Sequence, residues 1–413
     1  MKKLGSFTLK IFAPLHLCAF ALIFFVVSNA QTLAPNAPGK DAQWATAGKQ
    51  GVGTSASLES KVWFTLAQGV MTEVYYPDVT VANVHLLQFV VVNPKTRKVE
   101  TEQDDAFHQV KVLRPDSLTF QQINTAKSGE WTIKKTYATH PNGNSVWIDV
   151  QFETKSKDLQ LYVYYDPSLR NSGMHDSATT HRFKSFAVSE NTESLKSPPI
   201  KQPEKYVPEK DGKNIAAYFS TTDSDIASFL YFNVDVREST SGFLGVSDGL
   251  TQLREKGFLT ELYDFANNGN VVQMGRIVNP KRFTMALGFG KNVEEAHKEV
   301  FKPVKDKAGF EAVLAEYEKG WADYVKTLPR VEPKYQAQLN MAAMILKAHE
   351  DKTVRGANIA SLSIPWGGDK NANENTVGGY HLIWSRDLYQ VATAFMALGD
   401  KDAAIRALNF LFK

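Results

Sequence analysis

With 413 residues and 43% hydrophobic content, the chain is long enough for two or three domains with substantial cores, and no low-complexity tract marks it as disordered. Its formal charge of +3 comes from the first thirty residues, where Lys2, Lys3 and Lys10 stand without an acid; beyond them 44 basic residues face 44 acidic ones. That balance excludes a partner chosen by bulk charge, whether nucleic acid or an anionic membrane surface.

The N-terminus reads as a secretion signal. The three lysines form its positive end, Leu15 to Val27 its apolar run, and Ser28-Asn29-Ala30 its small-residue cleavage site before Gln31. The run is shorter than a bilayer span, so no membrane span is expected after cleavage, and the expected location is the periplasm or the exterior. The single cysteine, Cys18, lies within it, which leaves no disulfide or thiolate metal site in the remainder.

Gln31 to Lys40, rich in Ala, Pro and Asn, reads as a mobile leader. Gly51-Val52-Gly53 lacks a phosphate-loop lysine or a following helix and reads as a turn. From Val62 to Gly290 short strands follow one another. Val62 to Leu66 and Val70 to Tyr76 form a hairpin around Ala67-Gln68-Gly69, and Val84 to Val92 is a continuous apolar strand. Trp131 to Thr139 and Ser145 to Glu153 form a second hairpin about Pro141-Asn142-Gly143. Leu159, Leu161, Val163 and Tyr165 share one face at period two. No helix-length apolar periodicity interrupts this run, which predicts a large antiparallel sandwich.

The period changes near Val293. Phe310, Val313, Leu314, Tyr317, Trp321 and Tyr324 follow helical spacing until Pro329. Pro333 opens a second helix with Tyr335, Leu339, Ala342, Ile345 and His349 along one face. After a long loop, Leu388, Val391, Ala392, Phe395 and Leu398 form a third stripe closed by Gly399. Ala404, Ile405, Leu408, Leu411 and Phe412 begin a fourth. These last stripes have no later partner in the sequence, so the helical domain reads as truncated.

The sequence contains no Cys-x-x-Cys, His-Glu-x-x-His, P-loop or Gly-x-Ser-x-Gly. Its nine histidines lack ligand spacing, and no Asp/Asn loop demands calcium, so no cofactor or metal is expected. The stretch from Ala357 to Leu398 stands apart because it gathers Trp366, Tyr380, Trp384, Arg386 and Asp387. Aromatic faces suit the C–H faces of a sugar ring, and Arg with Asp can fix its hydroxyls. The competing reading makes the tryptophans core and Arg386–Asp387 a structural ion pair.

Two segments resolve that choice by resemblance: Ala360-Ser361-Leu362-Ser363-Ile364-Pro365-Trp366-Gly367 and Gly378-Gly379-Tyr380-His381-Leu382-Ile383-Trp384-Ser385-Arg386-Asp387. They resemble the glucoamylases and glucodextranases of glycoside hydrolase family 15. Upstream, Val62-Trp63-Phe64-Thr65 and Gly69-Val70-Met71-Thr72-Glu73-Val74-Tyr75-Tyr76-Pro77 resemble the N-terminal sandwich of the bacterial and archaeal members.

The resemblance implies a multidomain α+β chain. Residues 1–30 are the signal, 31–300 the sandwich, 301–330 a linker helix, and 331–413 the start of an (α/α)₆ barrel. It implies release of glucose from the non-reducing ends of α-glucans by inverting hydrolysis, in which an acid and a base stand ~6.5–9.5 Å apart. Arg386 and Asp387 would hold hydroxyls of the terminal glucose, with Trp384, Trp366 and Tyr380 lining the same subsite. Calcium is compatible with the family analogy.

The family's two catalytic glutamates have no counterpart among these residues, so sugar binding without hydrolysis is expected. Asp369 and Glu374 read as solvated loop positions, and Glu73, Tyr75 and Tyr76 as strand packing. The expected partner is an α-glucan and the expected state a monomer. The alternatives are a trehalose- or maltose-cleaving hydrolase or phosphorylase, a non-catalytic carbohydrate-binding protein, and a degenerate gene product.

Overall fold

Period-two alternation between Val62 and Gly290 places one apolar face of each strand inward, and the strands close into two antiparallel sheets. The computed structural model describes residues 32–182, 217–305, 309–363, 371 and 381–412. The expected signal with Cys18, and the loop residues Trp366, Asp369, Glu374 and Tyr380, lie outside the described residues.

The first sheet has eight strands. Its order runs from Gly51–Gly53 through Trp63–Ala67, Val70–Tyr75, Val84–Asn93, Gln160–Pro167 and Val271–Ile277 to Val236–Phe243, with Lys98–Thr101 paired beside Val84–Asn93. The second has nine. It begins with Phe265–Gly269, Asp176–Arg182, Ala217–Asp223 and Ile226–Phe232. It continues through Arg282–Gly290, Ser145–Thr154, Trp131–Thr139 and Phe120–Ala126 to Ala106–Val112. Both expected hairpins are present. The first turns at Gln68-Gly69, whose φ values of 47° and 76° suit a tight two-residue loop.

Three expectations need correction. The leader is docked, because the edge of the sandwich offers it hydrogen bonds: Ala34 N donates to Phe265 O at 2.7 Å and Lys40 N to Leu244 O at 3.0 Å. Gly51–Gly53 is an edge strand rather than a turn. A side chain at Gly53 would collide with the Phe64 ring, so glycine admits that ring against the backbone. Two helices interrupt the strands, α1 (Glu102–Asp105) and α2 (Gly249–Lys256). Both are set by capping rather than by apolar period. Thr101 caps α1 through Asp104 N, while Asp248 caps α2 and Gly257 ends it at φ 80°.

Among the described residues five further helices follow the strands, beginning with α3 (Val293–Lys305) and α4 (Phe310–Val325). Both cover the outer face of the nine-stranded sheet. At Gly288 and Gly290 α3 lies so close that a Cβ would strike Ala296, and Phe229 and Tyr231 meet its Phe301 edge-on. The expected stripe of α4 is the buried one, with Phe310, Val313, Tyr317 and Trp321 inside.

The α5 helix (Pro333–Ala348) opens on proline, as the sequence predicts, but it buries Asn340, Ala343, Met344 and Ala348 instead of the Tyr335 face. After it come α6 (Ser385–Ala397), buried along Leu388 and Phe395, and α7 (Lys401–Phe410), buried along Ala403, Ala404 and Ala407. Gly399 follows α6 at φ 79°, the left-handed position expected of it. In α7 the larger apolar residues Ile405 and Leu408 face solvent, as do Leu411 and Phe412 beyond it. Among the described residues no helix is long and apolar enough to cross a membrane.

Candidate functional site at the start of α6

The element Trp384-Ser385-Arg386-Asp387 sits where an extended segment becomes helix. Trp384 occupies the N-cap with φ −86° and ψ 129°, and its carbonyl accepts the first helical bond from Leu388 N at 2.9 Å. No side chain caps this end; Asp387 in the first turn places negative charge against the positive end of the helix dipole. Leu388 and Phe395 pull the opposite face of α6 inward, where Phe395 packs on Ala403, Ala404 and the half-buried Leu346.

That packing decides which groups face outward. The Trp384 residue is 49% exposed and the Arg386 side chain 79% exposed. Arg386 approaches Asp387 at 3.6 Å, a solvated contact of small worth. The structure therefore brings Trp384, Arg386 and Asp387 together on one open surface. Trp366 and Tyr380 lie outside the described residues.

Behind this surface the chain is held by groups that sequence spacing did not single out. His381 is buried, its Nε2 is 3.1 Å from the Tyr75 hydroxyl, and the two rings meet edge-on at 5.1 Å. Burial lowers the His381 pKa to about 4, partly opposed by its hydrogen bond to the Thr80 backbone, while Lys49 adds to the lowering and Asp78 opposes it. Burial and nearby Glu73 push the Tyr75 phenol well above its usual value.

The segment after α5 is tied in the same way. Val79 N donates to Asp351 at 3.1 Å, and Trp63 Nε1 donates to Ala348 O at 2.9 Å. Lys352 donates to Thr54 Oγ1, Ser55 O and Ser60 O at 2.6–2.7 Å, which satisfies all three ammonium protons against the sandwich edge. Glu350 accepts two bonds from Arg406 of α7 at 2.7 and 2.9 Å and one from Arg355 at 3.0 Å. Burial alone would raise its pKa; these guanidiniums, Arg406 foremost, hold it below the usual carboxylate value.

The other buried carboxylates belong to the sandwich. Glu73 is paired with Lys49, Glu102 with Lys135 at 2.8 Å, and Asp166 with His85 at 2.8 Å. Tyr76 stacks on Phe289 at 5.7 Å, so Glu73, Tyr75 and Tyr76 are interior groups. Asp400, near α6 in sequence, pairs with Lys347 at 2.8 Å and caps α7. Among the described residues no cluster of three or more His, Cys, Asp or Glu side chains could hold a metal ion.

Comparison with known proteins places two families along the chain. Residues 34–326 match the family described as glucodextranase, domain N, and residues 334–412 match glycosyl hydrolases family 15. A glucoamylase of Clostridium sp. (strain G0005) is 35% identical over 385 residues, covering 92% of this chain and 50% of the relative. A crystal structure of a bacterial glucoamylase complexed with acarbose superposes with a TM-score of 0.80 at 34% identity, covering 92% of this chain and 52% of that one. The chain thus spans about half the length of the relatives it matches.

Proposed function

The chain belongs to glycoside hydrolase family 15, of glucoamylase and glucodextranase type, and from that premise we propose that Trp384, Arg386 and Asp387 hold the non-reducing-end glucose of an α-glucan. The observation that carries this reading is the outward presentation of all three at the start of α6. The indole of a half-exposed tryptophan can cover the C–H face of a pyranose. A guanidinium and a carboxylate one residue apart supply donors and acceptors for adjacent hydroxyls through charge-assisted hydrogen bonds. Trp366 and Tyr380 complete the subsite in this proposal.

The reaction assigned to such a site is inverting hydrolysis. It needs a carboxylic acid on the glycosidic oxygen and a carboxylate on the opposite face to activate water. The role we propose for Trp384, Arg386 and Asp387 is capture of the sugar; none of them is assigned as the acid or the base. The large apolar groups exposed on α6 and α7, Tyr389, Met396, Ile405 and Leu408 among them, support reading this region as part of an (α/α)₆ barrel, where further helices would cover such faces.

Calorimetric titration of the 413-residue protein with maltotriose, alongside an assay for released glucose, tests both halves. Saturable binding without glucose release is expected. Arg386→Ala should weaken that binding about 10- to 100-fold, the worth of one charged hydrogen bond. Glucose release by this protein would overturn the assignment of capture alone, and absence of binding would overturn the site.

A further inference from the structure

The side chains just before α6 alternate in environment. His381 is buried, Leu382 is 55% exposed, Ile383 is half-buried and Trp384 is 49% exposed. His381 and Ile383 are the inward-held residues directly before Trp384, so what grips them decides what Trp384 presents outward. Ile383 packs on a cluster in which Trp44, Trp63, Tyr75 and Val79 meet Ile359 and Leu362 from the segment after α5. His381 is gripped by Tyr75 of the sandwich, through its hydroxyl at 3.1 Å and an edge-on ring contact at 5.1 Å.

We infer that Tyr75 is a positioning residue for the sugar site, acting through His381 to fix the side of the chain on which Trp384, Arg386 and Asp387 are displayed. The sandwich then takes part in sugar recognition without touching the sugar. The hydrogen bond defines how the contact works. The buried, neutral imidazole turns Nε2 towards the Tyr75 hydroxyl at 3.1 Å, and a lone pair there accepts the phenolic proton. Tyr75 thereby favours the tautomer with its proton on Nδ1 and one ring orientation. Rotation of His381 would break that bond and carry Ile383 and Trp384 with it.

The inference rests on the proposed sugar site for its binding readout, so the test also includes readouts that do not depend on sugar. Tyr75→Phe in the 413-residue protein keeps the ring and deletes the donor. Three quantities are compared with the unsubstituted protein: maltotriose affinity, hydrogen exchange of amides 384–389, and the His381 tautomer by nitrogen NMR. The expected result is about tenfold weaker affinity and about tenfold faster exchange in that segment, with the thermal midpoint nearly unchanged. The Nδ1–H tautomer should dominate in the unsubstituted protein and lose that dominance in the variant.

His381→Phe keeps the edge-on ring contact and deletes the hydrogen bond to Tyr75, so it should reproduce the affinity and exchange effects. Unaltered exchange in both variants would overturn the inference, and so would maltotriose bound equally well by all three proteins. If the unsubstituted protein binds no maltotriose, the sugar-site proposal fails by itself. Exchange and tautomer then decide the positioning role, faster exchange with a changed tautomer supporting it and no change overturning it.

Discussion

The sandwich and the helices after it bury their residues in opposite ways. In the sandwich the large side chains are inside: Trp63, Trp131, Trp147, Tyr137 and Phe89 are almost wholly enclosed. In α5 and α7 small residues fill much of the buried face, Ala343 and Ala348 in α5 and Ala403, Ala404 and Ala407 in α7. Of the large residues of α5, α6 and α7, Met344, Leu388 and Phe395 are buried, whereas Tyr335, Tyr389, Met396 and Leu408 look outward. A helix gains most of its stability in a protein from the apolar face it packs away. The sandwich is therefore self-sufficient, whereas the helices depend on seams: Glu350 with Arg406, Lys352 with Thr54 and Ser60, and His381 with Tyr75.

The largest effect should come from the sandwich interior. Lys135 and Glu102 are both buried; Glu102 also accepts from Asn124 Nδ2 at 2.5 Å and Phe89 N at 2.7 Å, while Lys135 donates to Gly69 O at 2.8 Å. Lys135→Met strands the carboxylate without its counter-charge, an arrangement that costs about 3–5 kcal/mol. Urea unfolding followed by near-ultraviolet circular dichroism should show that loss, and Glu102→Gln in the same chain should restore most of it. A cost below about 1 kcal/mol would mean that the pair is not closed to water and that the sandwich is less self-sufficient than its burial implies.

The seam between the regions should answer to pH. His381 has an ordinary pKa of 6.5 and a folded value of about 4, because burial penalises the imidazolium. Between those values the unfolded chain holds a proton that the folded chain lacks, so stability rises with pH across that window. The contribution is complete above 6.5 and is lost as pH falls towards 4, amounting to about 3 kcal/mol at most. The groups facing His381 are Tyr75, the Thr80 backbone, Lys49 and Asp78. Comparing urea midpoints of the unsubstituted protein and His381→Phe from pH 7.5 to 4 cancels the other histidines. The stability difference should shift against the unsubstituted protein as pH falls, and a constant difference would show an imidazole open to solvent.

Local chemistry made much of the sandwich legible. The hairpins at Gln68-Gly69 and Asn142-Gly143 announce themselves through turn residues between period-two runs, and strand faces follow directly. The face of α5 did not follow, because Met341, Ala342, Ala343, Met344 and Ile345 are apolar in succession and leave the stripe undecided. Contact with the glycine strand Gly51–Gly53 favours the small side. Trp384, Arg386 and Asp387 could be named as the proposed site because they fall within one short segment. The Tyr75–His381 contact joins residues 306 positions apart, and no spacing rule reaches across that distance.

The smallest effect offers the sharpest test of the helical region. Leu408 is 52% exposed while its neighbour Ala407 is fully buried, although the two are one step apart on α7. Leu and Lys have nearly equal helix propensity, so Leu408→Lys changes little except the apolar surface shown to water. A surface substitution of that kind shifts stability by no more than about 0.5 kcal/mol, whereas Ala407→Lys forces a charged side chain into the contact beneath and should cost several times more. Thermal unfolding of the two variants measures the contrast, with sedimentation of the Leu408→Lys protein as a check on association. If Leu408→Lys proves as damaging as Ala407→Lys, or alters sedimentation, the large face of α7 is covered in solution. The difference between a sandwich that encloses its large residues and helices that present theirs would then belong to the isolated chain rather than to the protein at work.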